Sequence, residues 1–331
     1  MNMYGIAKNV SLYITRFVSI GATVGVLIAL SVIVAFADGG YTVVDLGAGY
    51  GNSINAKGQV AGFGSFGNVG YGNRVISIND LGQQVGVTNE GHAALFTNGT
   101  VTQLGILDGK DWTPHDMNNS GQVVGFCYTA NGSPHATLYS NGTVTDLGTL
   151  GGSNSFAWSI NNSGQIAGWS TDAYGGMHAA LWSNGTVTDL GSLYGASAIA
   201  YGINDLGQAV GIANSGAALF SNGIVTNIGG NRFPNKANNI NNSGVAVGQS
   251  VYKAAIFKNG TVTNLNSLAS LATGTSLTEA MDINDSGQII ANGSVNGVNH
   301  AFLLTPTPIP PAFFLMGSGL IGLVGFRRKI A

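Results

Sequence analysis

The feature that most constrains this chain is a short phrase that returns seven times along the sequence. In a copy such as SINNSGQIAGW, an Asn ends the first β-prone run, and a Gly three residues after that Asn precedes the second run. Glycine adopts the left-handed conformation that such a turn requires, so each copy predicts a β-hairpin. The copies cover Ser53–Phe63, Ser77–Val87, Asp116–Phe126, Ser159–Trp169, Gly202–Ile212, Asn239–Gln249 and Asp282–Asn292.

A second phrase alternates with the first and predicts another hairpin. Its centre is Asn-Gly between two β-prone runs, which favours a two-residue turn because both turn residues must take positive φ. Each full period therefore supplies four short strands. The copies of this phrase cover His92–Gly105, His135–Gly148, His178–Gly191, Gly216–Gly229 and Lys253–Asn266.

Four strands in a period of about 41 residues are typical of a propeller blade. The repeats begin with a lone fourth strand, Thr42 to Gly47, and finish with a lone third strand, His300 to Leu304. Pairing these two segments closes a ring and removes both exposed sheet edges. We therefore predict an all-β fold, a β-propeller of six four-stranded blades closed by its N- and C-terminal strands. The hairpin at Ser53–Phe63 is surplus, and it either decorates a blade or forms a reduced seventh one.

The composition agrees with tightly packed blades. Only 8% of residues are charged, and a small residue such as Gly86 or Gly125 follows each turn glycine by four positions, which suits the narrow part of a blade near the axis. Cys127 is the one cysteine, so we expect no disulfide framework and assign it to the core. All 14 acidic residues lie between the terminal segments, which disfavours nucleic acid as a partner.

The first residues are typical of an export signal. Lys8 and Arg16 precede an apolar run from Phe17 to Val34, and Ala35 and Ala37 supply small residues where a signal peptidase cleaves. We expect a signal peptide over residues 1–37. The apolar run is long for such a signal, so an uncleaved anchor is the alternative.

The other end predicts a membrane-associated tail over residues 305–331. Four prolines precede 15 uncharged residues, Ala312 to Phe326, and then a basic terminus. A helix of that length spans about 22 Å, less than a hydrocarbon core of roughly 30 Å. A short hydrophobic helix followed by basic residues suits a temporary membrane hold before processing, and an ordinary tail anchor is the alternative.

This tail resembles a known sorting signal. Pro310 and Pro311, an apolar stretch containing Gly317-Ser318-Gly319, and the terminal Arg327, Arg328 and Lys329 resemble a PEP-CTERM signal, with Ile309-Pro310-Pro311 in place of Pro-Glu-Pro. The resemblance implies export by a Gram-negative bacterium and processing by signal peptidase and by an exosortase, a membrane cysteine transpeptidase. It also implies an association with exopolysaccharide.

The two phrases together resemble the HAF repeat, an extracellular repeat named for its His-Ala-Phe segment. The resemblance covers most of Thr42 to Leu304, although Gly216 and Lys253 stand where other copies have His. It implies an extracellular location and no particular activity. The repeat region therefore forms one unit, residues 38–304.

Two repeated polar positions are candidate sites. The histidines at one position of the second phrase could form an arc that binds metal, or each could hydrogen-bond the edge of its own blade. Asp45, Asp146 and Asp189 precede a Leu in the fourth strand, where a turn hydrogen bond explains them better than acid–base catalysis. The histidines are His92, His135, His178 and His300.

An irregular insert between two blades is the candidate binding site, because loops that interrupt a repeat carry function. It contains Asp108, Asp111, Trp112, His115 and Asp116. We predict that Trp112 stacks on a sugar ring. Three further aromatic residues could extend that platform: Trp158, Tyr174 and Tyr194.

No phosphate-binding loop, zinc motif or hydrolase motif is present in the sequence. We therefore expect a non-catalytic protein of the cell surface or extracellular matrix, with no cofactor and no metal, that binds a partner such as exopolysaccharide. The membrane contacts it only through its terminal segments. The alternative is a secreted propeller enzyme that acts on polysaccharide, since propellers assemble sites from single residues of each blade.

Overall fold

Six four-stranded antiparallel sheets form the blades of a propeller in the computed structural model, which describes residues 40–65, 74–107, 110–230 and 234–307. This confirms the predicted fold. The first two strands are β1 (Tyr41–Ile54) and β2 (Val60–Gly64). Blade 1 contains β3 (Arg74–Ile78), β4 (Gln84–Val87), β5 (Ala93–Thr97) and β6 (Thr100–Gln103). Blade 2 contains β7 (Trp112–Met117), β8 (Val123–Tyr128), β9 (Pro134–Ser140) and β10 (Thr143–Asp146).

The remaining blades follow the same order from the axis outwards. Blade 3 contains β11 (Gly151–Ile160), β12 (Ile166–Asp172), β13 (Met177–Ser183) and β14 (Thr186–Gly191). Blade 4 contains β15 (Ala198–Ile203), β16 (Ala209–Ala213), β17 (Gly216–Ser221) and β18 (Ile224–Asn227). Blade 5 contains β19 (Asn235–Ile240), β20 (Ala246–Ser250), β21 (Lys253–Lys258) and β22 (Thr261–Asn264), followed by the short helix α1 (Leu265–Leu268). Blade 6 begins with β23 (Thr275–Ile283), β24 (Ile289–Val295) and β25 (Val298–Pro306).

Both kinds of predicted turn are present. In the second hairpin of blade 3, Asn184 and Gly185 have φ values of 51° and 75°, as a two-residue Asn-Gly turn requires. In the first hairpin of that blade, Gly164 has a φ of 79° and its N–H donates to the carbonyl of Asn161 at 3.0 Å. The turn residues therefore set the strand register within each blade.

The N-terminal strand closes the ring, as predicted. The first part of β1 pairs with β25 from Tyr41 opposite Pro306 to Ala48 opposite His300, and so becomes the fourth strand of blade 6. Strand β25 continues two residues beyond the predicted boundary at Leu304, because Thr305 and Pro306 still have partners in β1. Closure covers the outer edge of β25, which would otherwise be open to other chains.

The same β1 strand then continues into the surplus hairpin. Its second part pairs with β2 from Gly49 opposite Gly64 to Ile54 opposite Val60. The hairpin therefore stands between blade 6 and blade 1 and supplies a seventh inner strand. The structure thus has six full blades and a two-stranded seventh member, which settles the position of the surplus hairpin.

Seven apolar clusters of the described residues fill the seven gaps of this ring. The cluster between blades 3 and 4 is built from small side chains around Phe220, such as Ala179 and Ala200. The hairpin forms the two smallest clusters, with Ile54 on the side of blade 6 and Ala61 on the side of blade 1. The small alanine side chains let neighbouring sheets pack closely, so both faces of each sheet are buried. Few positions are then left for charged residues.

Each inner strand contains a β-bulge just before its phrase. In blade 2, Pro114 pairs with Gly125 and Asp116 pairs with Val124, so His115 is the extra residue. A Cβ on Gly125 would lie 1.9 Å from the carbonyl oxygen of Thr113, so no side chain fits opposite the bulge. The glycine of this blade is therefore required by the bulge, whereas the last copy has Ala291 opposite the bulge at Met281.

None of the helices in the described ranges is long and apolar enough to cross a membrane. The predicted signal peptide and the sorting tail lie outside those ranges. The residues predicted to act in processing, which also lie outside them, are Ala35, Ala37, Pro310, Pro311, Arg327, Arg328 and Lys329.

Candidate functional site

The bulges turn two successive residues of each inner strand towards the propeller axis. We call the extra residues the bulge layer and the residues after them the floor layer. The bulge layer consists of Asn52, Ile76, His115, Trp158, Tyr201, Asn238 and Met281. The floor layer consists of Ser53, Ser77, Asp116, Ser159, Gly202, Asn239 and Asp282.

The bulge layer surrounds a cavity of about 550 Å³. That volume lies within the range of about 300–1,000 Å³ that ligand sites occupy. The inner strands start at this end of the axis, so the cavity belongs to the face that carries the connections between blades. Arg74, Thr113 and Lys236, two residues before the bulge layer, line its rim.

Two buried carboxylates belong to the floor layer. Asp116 accepts hydrogen bonds from the hydroxyls of Ser77 at 2.7 Å and Ser159 at 2.9 Å. It also accepts from the backbone N–H groups of Met117 at 2.8 Å and Ile160 at 3.0 Å. A carboxylate offers about four acceptor sites, so Asp116 has none left for a ligand.

Asp282 is bonded in the same way on the opposite side of the ring. It accepts from the N–H groups of Ile54 at 2.8 Å and Ile283 at 2.7 Å, and from the side-chain amide of Asn239. Burial, assisted by the charge of Asp116, raises the pKa of Asp282 to about 6. Burial also raises the pKa of Asp116. Both carboxylates tie their strand to neighbouring strands.

An aromatic wall forms one half of the bulge layer. The rings of His115 and Trp158 are stacked, with centroids 4.2 Å apart and an interplanar angle of 6°. Tyr201 meets Trp158 edge-on at 5.6 Å. These three residues come from consecutive blades, and together they give the cavity a continuous aromatic side.

His115 is a neutral imidazole at pH 7. Burial lowers its pKa to about 4. Its Nδ1 lies 2.8 Å from the carbonyl oxygen of Ala157, so Nδ1 carries the proton and donates to that oxygen. Nε2 is then left as a hydrogen-bond acceptor in the cavity wall.

Polar and flexible side chains form the other half. The ammonium group of Lys236 lies 2.6 Å from Glu279 and 5.9 Å from the centroid of the Tyr201 ring. The amide of Asn238 donates to Glu279 at 2.8 Å. Arg74 lies over the ring of Phe63 at 5.3 Å. One side of the cavity is therefore aromatic, and the other combines charged and amide groups with the apolar Ile76 and Met281.

Further aromatic rings continue from the cavity towards its mouth. Phe126 and Phe156 have centroids 4.4 Å apart, and Phe156 and Trp169 are stacked at 4.7 Å. All three are half-buried. On the surplus hairpin, Tyr50 stacks on Phe63 at 5.2 Å. We call Phe126, Phe156 and Trp169 the aromatic rim.

The predicted insert site is not assembled as expected. Trp112 is only 2% exposed and belongs to the apolar cluster between blades 1 and 2, next to Val85 and Cys127. The prediction of an exposed stacking platform at Trp112 is therefore corrected, because Trp112 pairs with Cys127 inside blade 2. Asp108 lies outside the described residues.

The other insert residues have different roles. Asp111 pairs with His92, with Oδ1 2.7 Å from Nδ1, in a blade whose outer strand has Gln103 at the usual aspartate position. This contact raises the pKa of His92. His115 and Asp116 line the cavity, where the ring of His115 stacks on Trp158. Tyr174 and Tyr194 are 97% and 92% exposed, on turns that do not line the cavity.

The repeated histidines contact aspartates. His135 lies 2.7 Å from Asp146, and His300 lies 2.8 Å from Asp45 in the closing strand. Each is a bond between the third and fourth strands of one blade, which supports the blade-edge interpretation of these histidines. No group of three or more His, Cys, Asp or Glu that could hold a metal is present in the described part of the chain.

The sequence analysis did not predict most of the residues that line the cavity, although one pattern in the sequence indicates them. The residue before each phrase differs in chemistry from copy to copy, whereas the phrase itself is repeated. A position that varies inside an otherwise constant repeat cannot be explained by the folding of the blade alone. That position is the bulge layer.

No family model and no curated protein matches this chain. Similar solved structures include TolB from Acinetobacter baumannii, at 14% identity over 68% of this chain and 51% of that one, with a TM-score of 0.39. The match thus spans about half of the TolB chain. The WD40 β-propeller domain of Doa1 is 14% identical over 82% of this chain and 91% of that one, with a TM-score of 0.44. A Thermus thermophilus protein named as an oxidoreductase, glucose dehydrogenase, is 10% identical over 80% and 100%, with a TM-score of 0.41.

Proposed function

We propose that this protein is an exported, non-catalytic propeller that binds a glycan, such as exopolysaccharide, in the axial cavity. The observation that carries the proposal is the bulge layer. Its side chains vary from blade to blade and face one cavity, with an aromatic side at Trp158 and a hydrogen-bonding side at Asn238. Sugar rings have an apolar face and a hydroxylated edge, which such a divided cavity matches.

The floor layer supports a binding role over a catalytic one. General acid–base catalysis needs a carboxyl group that can exchange protons with a substrate. Asp116 and Asp282 lie beneath the cavity, but both are held by hydrogen bonds from backbone and side-chain donors. Their acceptor sites serve the fold.

An enzyme acting on polysaccharide is the second candidate, and one observation favours it. The raised pKa of Asp282, about 6, is a value that suits a general acid. The two candidates differ in turnover. If incubation with polysaccharide releases reducing ends, and Asp282→Asn abolishes that release, the non-catalytic proposal is wrong.

Export and surface location belong to the same proposal. The apolar N-terminal segment and the PEP-CTERM-like tail support transport across the inner membrane and processing by an exosortase. Replacing Arg327, Arg328 and Lys329 with Gln should leave an unprocessed precursor in the inner membrane. Mature-sized protein at normal levels outside the cell would contradict this part of the proposal.

The binding experiment compares two aromatic substitutions. Calorimetric titration with the exopolysaccharide of the producing cells should show binding that Trp158→Ala weakens. Aromatic stacking on a planar ligand contributes about 1–3 kcal/mol by analogy with bases, so a loss of this order is expected. Tyr174→Ala is the control, because Tyr174 is almost fully exposed and does not line the cavity. Equal affinity in both variants would argue against the axial site.

A further inference from the structure

We infer that the axial cavity receives the end of a glycan chain and not an internal segment. This inference rests on the proposed function and specifies which part of the polymer is recognised. An internal segment of a linear polymer needs a cleft that is open at both ends, whereas a blind cavity admits only an end or a side branch. The structure below the bulge layer shows which of these two kinds of site the cavity is.

The space around the axis is much smaller below the floor layer than above it. The cavity at the bulge layer has a volume of about 550 Å³, but the recess at the opposite face has only about 180 Å³. The smaller volume falls below the range of about 300–1,000 Å³ typical of ligand sites. The two spaces meet at the floor layer, where both are lined by Ser53, Asp116, Ser159, Asn239 and Asp282.

Hydrogen bonds hold the floor layer in place across the narrow part. Asp116 joins the inner strands of blades 1, 2 and 3 through Ser77 and Ser159. Asp282 joins blade 5, blade 6 and the surplus hairpin through Asn239 and Ile54. Opening this layer to a sugar would leave buried carboxylates without partners, which is strongly unfavourable.

A second layer lies directly below the floor. The third residue of each phrase is Asn, and each of the seven donates its side-chain N–H to the backbone carbonyl of the next Asn around the axis. The ring is continuous, so the seven inner strands cannot separate without breaking it. Two successive hydrogen-bonded layers therefore fix the walls below the cavity, and the small recess that they surround cannot widen to admit a polymer.

The mouth offers space for the rest of the chain. The aromatic rim lies beside the cavity on blades 2 and 3, while Lys236 and Glu279 lie on blades 5 and 6. A chain whose last unit enters the cavity can continue over this rim into solvent. The geometry thus assigns the terminal unit to the bulge layer and the following units to the mouth.

The test counts binding sites per gram of polymer and needs no variant. The full protein is titrated calorimetrically with dextran, alginate, chitosan and the exopolysaccharide of the producing cells, each as long chains and as the same mass of sonicated fragments. Recognition of ends predicts that halving the mean chain length doubles the number of sites per gram for every polymer that binds. A number of sites per gram that stays constant overturns the inference and leaves the proposed function intact. Binding to none of the four polymers contradicts the proposed function itself.

A cavity-filling variant provides the second measurement. Ile76→Trp adds a large side chain to the bulge layer and should abolish the sites that increase on sonication. Ile224→Trp is the matched control, because Ile224 is 65% exposed and lies at the start of β18, far from the bulge layer in its blade. If Ile76→Trp retains its thermal midpoint and binds long and short chains as the wild type does, the cavity does not hold the chain end.

Discussion

The side-chain amide of Asn284 donates a hydrogen bond to the backbone carbonyl of Asn55 at 2.9 Å, across 229 positions of the chain. This bond joins the last copy of the first phrase to the first copy. It completes a ring of seven equivalent bonds, in which Asn161 donates to Asn204 at 3.0 Å in the same way. The side chain of each Asn also shapes its own turn, so one residue type serves both the hairpin and the ring.

Removing one member of this ring should destabilise the whole propeller. Asn161→Ala deletes the bond to Asn204 and the bonds that Asn161 accepts from the N–H groups of Ser163 and Gln165. Buried groups left without partners cost about 1–3 kcal/mol each, so we expect the free energy of unfolding to fall by about 3 kcal/mol. Urea unfolding measures this change.

The neighbouring residue provides the control for the ring. Asn162 is exposed, and its side chain donates to Asp205 and accepts from the backbone N–H of Asn119. Because solvent replaces an exposed hydrogen bond, Asn162→Ala should change the unfolding free energy by about 0.5 kcal/mol. Equal effects of the two substitutions would show that the ring adds nothing beyond the surface contacts.

The closing strand supports a second prediction. Deleting residues 42–47 removes most of the pairing between β1 and β25 and the contact of Asp45 with His300. The edge of β25 is then exposed, and the apolar contacts of Val43 and Leu46 are lost. We expect a sharply lower thermal midpoint and self-association at high protein concentration.

The Asp45→Asn variant separates the stability that strand pairing contributes from the stability that the contact between Asp45 and His300 contributes. It keeps the strand but removes the carboxylate that contacts His300, so its thermal midpoint should stay close to that of the wild type. Light scattering and thermal melts of both variants test the prediction. A deletion variant that melts like the wild type would mean that the ring is held without its closing strand.

The architecture could be predicted because its determinants are local and repeated. Asn184 and Gly185 specify a tight turn whatever surrounds them, and unpaired strands at the two ends imply closure. The bulges could not be predicted in the same way. They depend on the register between β7 and β8, and the small residue opposite each bulge was attributed only to closeness to the axis.

The insert misled the site prediction for a physical reason. An interruption with charged and aromatic residues suggested a binding loop, but its residues had roles within the fold. Asp111 replaces the aspartate that the outer strand of blade 1 lacks at Gln103, and Trp112 fills the gap between blades. Sequence alone does not show which side of a bulged strand faces the axis, so it did not distinguish His115 and Asp116, which line the cavity, from the insert residues that pack within the fold.

The neutral state of His115 predicts a dependence of stability on pH. Its pKa is about 4 in the folded protein and about 6.5 when unfolded, so the unfolded state binds more protons between these values. The contribution of His115 to the unfolding free energy therefore rises with pH from 4 to 6.5, by up to about 3 kcal/mol. Asp116 and Asp282 act in the opposite direction, because their raised pKa values stabilise the fold at low pH.

One variant separates the pH dependence of stability that His115 causes from the pH dependence that Asp116 and Asp282 cause. His115→Phe keeps an aromatic ring against Trp158 but cannot be protonated. The difference in unfolding free energy between wild type and variant should increase as pH rises from 4 to 6.5 and then become constant. A difference independent of pH would mean that His115 does not lose its charge on folding.

The two tryptophans near the cavity give opposite expectations. Trp112 fills the core between blades 1 and 2, so Trp112→Ala should lower the unfolding free energy by about 3–5 kcal/mol through loss of buried surface and the cavity left behind. Its affinity for exopolysaccharide, measured on the fraction that remains folded, should be unchanged.

Trp158 lines the cavity and is only half-buried, so Trp158→Ala should reduce affinity more than it reduces stability. Calorimetric titration beside a thermal melt of each variant provides both quantities. Lower affinity in Trp112→Ala with an unchanged melt would restore the insert as the binding site and remove the axial cavity from that role.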